Sequence, residues 1–142
     1  MNDLAPAARA YVAFYESLTP ETVANLGNVV TDDVRFKDPF NDVRGRGAYA
    51  AILSHMFKAV PDISFKVSHV AIDGEVCFLR WRSEGTLSGG PWIVDGMSEL
   101  RFAPDGRVRE HIDHWDAAAQ FYERLPILGA LIRFIRRRVA ER

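Results

Sequence analysis

The stretch ISFKVSHVAIDGEVCFLRW, Ile63 to Trp81, decides the fold class. In its first half Ile63, Phe65, Val67 and His69 share one parity, while Ser64, Lys66 and Ser68 share the other. Side chains alternate faces along a strand, so this pattern predicts a strand with one buried face. Asp73-Gly74 is a hairpin signal, because glycine accepts the positive φ that tight turns demand. Beyond it the chain enters a second long strand, EVCFLRWRSEGTL, starting at Glu75.

Toward the C-terminus, Gly89-Gly90 leads into PWIVDGMSELRF, and Pro104-Asp105-Gly106 leads into RVREHIDHW. Hairpin spacing therefore predicts four consecutive antiparallel strands. Toward the N-terminus the spacing is helical. APAARAYVAFYESL keeps Leu4, Ala7, Ala8, Tyr11, Phe14, Tyr15 and Leu18 to one broad stripe,. A second helix starts at Thr19, with Pro20 at its first position and Val23, Leu26 and Val30 facing inward,. DDVRFKDPF reads as a short strand, residues 41–47 as a loop, and AYAAILSHMFKAV as a third helix ending at Pro61,. The expected class is α+β, a strongly curved antiparallel sheet wrapped around N-terminal helices over residues 1–125.

The 142 residues suffice for one core,. With 48% hydrophobic and 26% charged residues and a net charge of −1, the chain has no global attraction to nucleic acid,. Cys77 is the single cysteine, which excludes an internal disulfide and paired-cysteine metal motifs,. It reads as a small buried hydrophobe. The N-terminus lacks a basic region followed by an apolar one, and no uncharged run reaches spanning length, so a cytoplasmic location is expected,.

Polar groups concentrate in EHIDHWD, Glu110 to Asp116. On a strand, Arg109, His111, Asp113 and Trp115 share one face. On the preceding long strand Val76, Phe78, Arg80 and Arg82 share a face, as do Cys77, Leu79 and Trp81. Large apolar groups mixed with charges are the expected lining of a ligand pocket. Phe14, Phe36, Phe78, Trp115 and Asp113 are expected to line one cavity.

The order of elements, the DDVRFKDPF…RG loop, the helix ending FKAVPDISFKV and the DHWD strand end resemble the SnoaL-like branch of the nuclear transport factor 2-like superfamily. The resemblance covers roughly residues 5–124. It implies a cone-shaped α+β barrel with an internal pocket, in a superfamily that includes polyketide cyclases, limonene epoxide hydrolases, ketosteroid isomerases and non-catalytic binding domains. Fold alone does not choose among them. Against the epoxide hydrolases, Asp113 matches the general base and Arg80 the catalytic arginine. The second aspartate falls at Arg82, the tyrosine at Phe36 and the asparagine at Asp38, so the water-holding set differs. Asp38 is the acid that could replace the missing one. Against the ketosteroid isomerases, Asp38 matches the proton-shuttling base, while the two oxyanion donors fall at Phe14 and Ser98. Phenylalanine cannot donate a hydrogen bond, and Tyr15, about 100° further round the helix, is expected to point elsewhere. Against the SnoaL-type cyclases, Asp113 takes the place of the working aspartate, with His111 beside it.

Each of these residues also has a plainer reading. Asp113 could pair with Arg80 or Arg82 and hold the strand register. Asp38, before Pro39, is a natural turn residue. His55 reads as a partly buried packing residue and His69 as a core histidine whose hydrogen bonds are satisfied. His111 and Asp113 have no third ligand at suitable spacing, so no metal is expected, and no cofactor is implied. Trp115 reads as pocket wall.

RLPILGALIRFIRRRVAER closes the chain. Ile127, Leu128, Leu131, Ile132, Ile135 and Val139 form an apolar stripe beside Arg133, Arg136, Arg137 and Arg138. Such a helix, residues 126–142, is expected to pack on its own domain or on a homodimer partner. The alternative is contact with an anionic membrane surface. The overall expectation is a small-molecule pocket protein for an apolar, polyketide-, terpenoid- or steroid-like ligand. As an isomerase, cyclase or hydrolase it would use Asp113, Asp38 and Arg80. The alternative is a non-catalytic ligand-binding or protein-interaction domain.

Overall fold

The computed structural model describes residues 3–121 and 126–140. Helix α1 (Ala5–Glu16) is followed by a 3-10 helix (Thr22–Asn28), strands β1 (Val30–Lys37) and β2 (Asp42–Arg44), and helix α2 (Arg46–Ala59). Strands β3 (Ser64–Asp73), β4 (Val76–Leu87), β5 (Gly90–Phe102) and β6 (Val108–His114) come next, then the short α3 (Ala117–Gln120) and α4 (Pro126–Ala140). The six strands form one curved, open sheet in the order β2-β1-β6-β5-β4-β3.

The four consecutive antiparallel strands are present as the hairpin spacing predicts. Three features differ from the expected sheet, the first being that Asp42–Arg44, within the stretch expected as a loop, pairs with β1 as strand β2. Strand β1 pairs with β6 in parallel, so the sheet is mixed. Its ends, β2 and β3, do not join, so the cone is open rather than a closed barrel.

Helical periodicity selects the inward side chains. Tyr49, Leu53 and Phe57, four residues apart, bury one face of α2, and Ala8 and Tyr11 bury one face of α1,. They pack on the concave face of the sheet, where Val34, Cys77, Leu79, Val94, Leu100 and Val108 complete the core. Burial raises the Cys77 thiol above its usual range, in keeping with a packed, unreactive group,.

Two irregularities alter the parities. Between β5 and β6 the register passes from Arg101–Glu110 to Phe102–Val108, which leaves Arg109 as an extra residue. Val108 is fully buried and Arg109 exposed, so Arg109 does not share the face of His111,. Between β3 and β4 a register shift at Ser68 turns His69 outward, so it is not a core histidine. His55 is likewise exposed. On the outer face Arg35 binds Asp42 and Glu110, Arg101 binds Glu110 and Glu99, and His114 meets Glu99. Exposed pairs of this kind contribute little stability each.

In α4, Leu128, Leu131, Phe134, Ile135 and Val139 are 40–61% exposed. Of the two coverings expected for this stripe, the chain's own domain does not supply one to these residues. Ile127's side chain and residues 122–125, where the domain boundary was expected, lie outside the described residues. Deleting residues 126–142 is therefore expected to leave the domain's thermal melt nearly unchanged in dilute solution. Each fully buried aliphatic side chain is worth about 1.5–3 kcal/mol. A fall of more than about 5 °C would show that the stripe is covered in solution.

Candidate functional site

Strand alternation brings Trp81 of β4, Ser98 of β5, and His111 and Asp113 of β6 to the concave face. Opposite them stand Tyr11 and Tyr15 of α1 and Tyr49 of α2. Gly96 makes this packing possible. It pairs with Trp81 across β4 and β5, and a Cβ there would lie 2.6 Å from the indole.

The polar groups form one connected chain. Trp81 Nε1–H donates to Ser98 Oγ at 2.8 Å, and Ser98 donates to Asp113 Oδ1 at 2.5 Å. His111 Nε2 meets the same Oδ1 at 2.6 Å. On the other side of the ring, Nδ1 lies 2.7 Å from the Tyr11 hydroxyl and 3.3 Å from that of Tyr49. Tyr11 and Tyr49 are 2.6 Å apart, and Tyr15 hydrogen-bonds to Tyr49. Phe36 stacks on Tyr49 with centroids 4.4 Å apart and sits 5.0 Å from the His111 ring. Burial is the main cause that pushes all three phenols above their usual range,.

Ser98→Ala is expected to cost about 1–3 kcal/mol, because it strands the buried Trp81 N–H and removes a donor to Asp113. Denaturant midpoints measure this loss, and an unchanged midpoint would mean that water replaces the hydroxyl.

A cavity of about 30 Å³ lies beside this chain, lined by Tyr15, Phe65, Leu79, Trp81, His111 and Asp113 among others. Asp113 is 16% exposed. Both hydrogen bonds it accepts among the described residues end on Oδ1. Asp38 is held as a turn residue. Its Oδ1 accepts from the amides of Phe40 and Asn41 at 2.8 and 2.7 Å. Burial nevertheless raises its carboxyl, against those hydrogen bonds, and the charge of Asp113 adds to the rise. Asp38 in turn pushes Tyr15 upward, so the two acids and the phenol share one electrostatic neighbourhood.

The expected common cavity is corrected at several positions. Phe78, Arg80 and Arg82 alternate with the buried Cys77, Leu79 and Trp81 and therefore face outward. Arg80 is exposed, and Arg82 binds Asp95 at 2.8 Å. Neither arginine reaches Asp113 from there, which also removes the register-pair reading of Asp113. The face of β4 that mixes charge with apolar groups is its outer one. Phe14 packs edge-on against Tyr15, and Trp115 packs with Phe40 and Trp92. Neither lines the cavity, and neither does Phe36, which packs on Tyr49 and His111.

Tyr15, expected to point away, faces inward. Four residues advance a helix by about 400°, so Tyr15 lies only some 40° from the buried Tyr11. Phe14 lies about 60° off on the other side. Tyr11 and Tyr49 were missed altogether as polar groups, since helical spacing marks them only as core. Their i,i+4 neighbours carried the signal for burial but none for their hydroxyl partners. Among the described residues no cluster of three potential metal ligands occurs.

The model of the SnoaL-like domain family matches residues 11–111. No protein of curated function matches the sequence. Solved structures share the fold. A nuclear transport factor 2-like protein of unknown function from Burkholderia pseudomallei K96243 is 16% identical, with 84% of this chain and 95% of that one covered and a TM-score of 0.71. A candidate SnoaL-like polyketide cyclase from Jannaschia sp. CCS1 is 18% identical, with coverages of 84% and 94% and a TM-score of 0.69. An LEH-like epoxide hydrolase from M. tuberculosis is 18% identical, with coverages of 83% and 86% and a TM-score of 0.66. With the family model running from Tyr11 on α1 through α2 and strands β1 to β5 to His111 on β6, more than half of the chain, the chain belongs to the SnoaL-like domain family.

Proposed function

We propose that the concave face binds a small, largely apolar molecule and that Asp113 acts on it as a general base. The carrying observation is the carboxylate itself. Asp113 lines an apolar cavity, and among the described residues the hydrogen bonds from Ser98 and His111 both fall on Oδ1, so Oδ2 is the oxygen assigned here to take a proton. A base needs one oxygen oriented and the other able to take a proton, and this arrangement supplies both. Tyr15 is the donor on the facing wall, in the role that Phe14 cannot fill. Asp38 is a second acid near the same space. Similarity to a candidate polyketide cyclase and to an epoxide hydrolase supports acid–base chemistry on an apolar substrate.

The cavity's 30 Å³ favours a second reading, a non-catalytic domain whose polar chain holds the core together. Pockets for drug-sized ligands measure about 300–1,000 Å³, so the first reading requires the cavity to open. Polycyclic ketones and epoxides are the probes that separate the two. Under the first reading, members of these classes raise the melting temperature and quench Trp81 fluorescence. Absence of binding by both classes would leave the second reading.

A further inference from the structure

We propose that His111, Tyr11, Tyr49 and Tyr15 form a proton relay that couples the two ends of the site, so that a proton taken by Asp113 is matched by one delivered from Tyr15. This inference rests on the reading of Asp113 as a base. The observation behind it is continuity. Asp113 and Tyr15 both line the cavity, and an unbroken run of hydrogen bonds joins them behind the cavity wall. A shorter branch from His111 directly to Tyr49 also exists. Tyr11 and Tyr15 also meet directly, so every route passes through Tyr11 or Tyr49.

The run has two settings. When His111 carries both ring protons, Nε2–H donates to Asp113 and Nδ1–H donates to Tyr11. Tyr11 then donates to Tyr49, Tyr49 donates to Tyr15, and the Tyr15 O–H is free to point into the cavity. When His111 keeps only the Nε2 proton, Nδ1 becomes an acceptor and all three hydroxyls reverse. Suppose Asp113 Oδ2 removes a proton from a C–H bond next to a carbonyl. The C–H electron pair moves onto the carbonyl oxygen, which takes the Tyr15 proton. Tyr15 takes the proton of Tyr49, Tyr49 that of Tyr11, and Tyr11 that of Nδ1. Asp113 ends protonated, His111 neutral and the bound molecule an enol, so charge and protons balance. The reverse sequence restores the start.

Physical chemistry favours a relay over Tyr15 acting alone. Burial raises each phenol, which makes an isolated buried tyrosine a poor proton donor. Passing the deficit to His111 avoids a buried phenolate, the charged form that burial disfavours. Besides the three tyrosines and Asp113, Asp38 is the charged group that acts on this neighbourhood, through Tyr15. Phe36 covers the remaining ring face.

The test needs no substrate. Tyrosine labelled with ¹³C at Cζ and histidine labelled with ¹⁵N are followed by NMR between about pH 5 and 8, where imidazole charge changes. The Tyr15 Cζ resonance is expected to move with the same midpoint as His111, because reversal of the chain changes Tyr15 from donor to acceptor. Tyr11→Phe combined with Tyr49→Phe cuts every route while removing two oxygens, and Tyr15 should then no longer follow His111. Direct influence of the His111 charge would survive that substitution, since the rings lie 5.7 Å apart. Should the double variant not fold, Tyr11→Phe leaves only the 3.3 Å branch through Tyr49 and should weaken the coupling. A Tyr15 signal that ignores His111, one that still follows it fully after the cut, or a His111 that stays in one form throughout would overturn the relay. Such failure leaves Asp113 as base untouched, because that role is judged by the Asp113→Asn variant.

Discussion

Asp113→Asn is expected to lower turnover of a ketone or epoxide substrate by about 10²-fold or more while leaving binding nearly intact. Asparagine keeps the shape of the side chain and an oxygen for Ser98 and His111, which meet Oδ1 at 2.5 and 2.6 Å. It removes the oxygen that could take a proton. The loss should therefore appear in kcat, since an interaction made only in the transition state is what disappears. Equal turnover in variant and wild type would leave the non-catalytic domain as the reading that stands. Arg80→Ala is a useful companion because its exposed side chain should change turnover little.

Gly96→Ala is expected to be strongly destabilising. The added Cβ would sit 2.6 and 2.7 Å from two atoms of the Trp81 indole and 3.1 Å from the His114 carbonyl oxygen. The indole is 8% exposed and cannot swing into solvent without opening the core. Overpacking of this kind costs about 1–3 kcal/mol. Moving the ring also breaks its hydrogen bond to Ser98, for a further loss of about 0.5–1.5 kcal/mol. The melting temperature should fall by roughly 5 °C or more. A melt matching wild type would show that the indole has another place to lie. In that case Ser98 would not depend on it.

Much of the fold was legible in residues 63–114. Alternation of Ile63, Phe65 and Val67, followed by Asp73-Gly74, specifies a half-buried hairpin whatever the rest of the chain does. The parallel contact of β1 with β6 was not legible, because pairing between strands some 75 residues apart leaves no local pattern. The bulges at Ser68 and Arg109 were hidden for a related reason. Each inserts a residue into an otherwise regular alternation, and the sequence on either side reads the same with or without it. Consequently His69 and Arg109 were placed on the wrong faces.

The site was legible where a single strand carried it. His111 and Asp113, two residues apart on β6, necessarily share a face, and the structure has them in contact. Ser98 meets both across β5 and β6. Arg80 and Arg82 were misplaced because matching a family position ignored their own alternation with Leu79 and Trp81, which bury the opposite parity. The tyrosines were lost to a different limit. Helix periodicity says which side chains go inward, but partners on α1, α2 and β6 meet only once the layers are stacked, and a hydroxyl in an apolar stripe gives no sign of its acceptor.

The central claim, that Asp113 takes a proton from a molecule held on the concave face, is tested most directly by hydrogen–deuterium exchange of a bicyclic ketone such as 2-tetralone in D₂O. Proton NMR follows loss of the signals next to the carbonyl, with no need for the natural substrate. The account predicts that wild-type protein accelerates this exchange well beyond buffer, and that Asp113→Asn returns it to nearly the buffer rate. Acceleration of the same size by both proteins, or by neither, would contradict it.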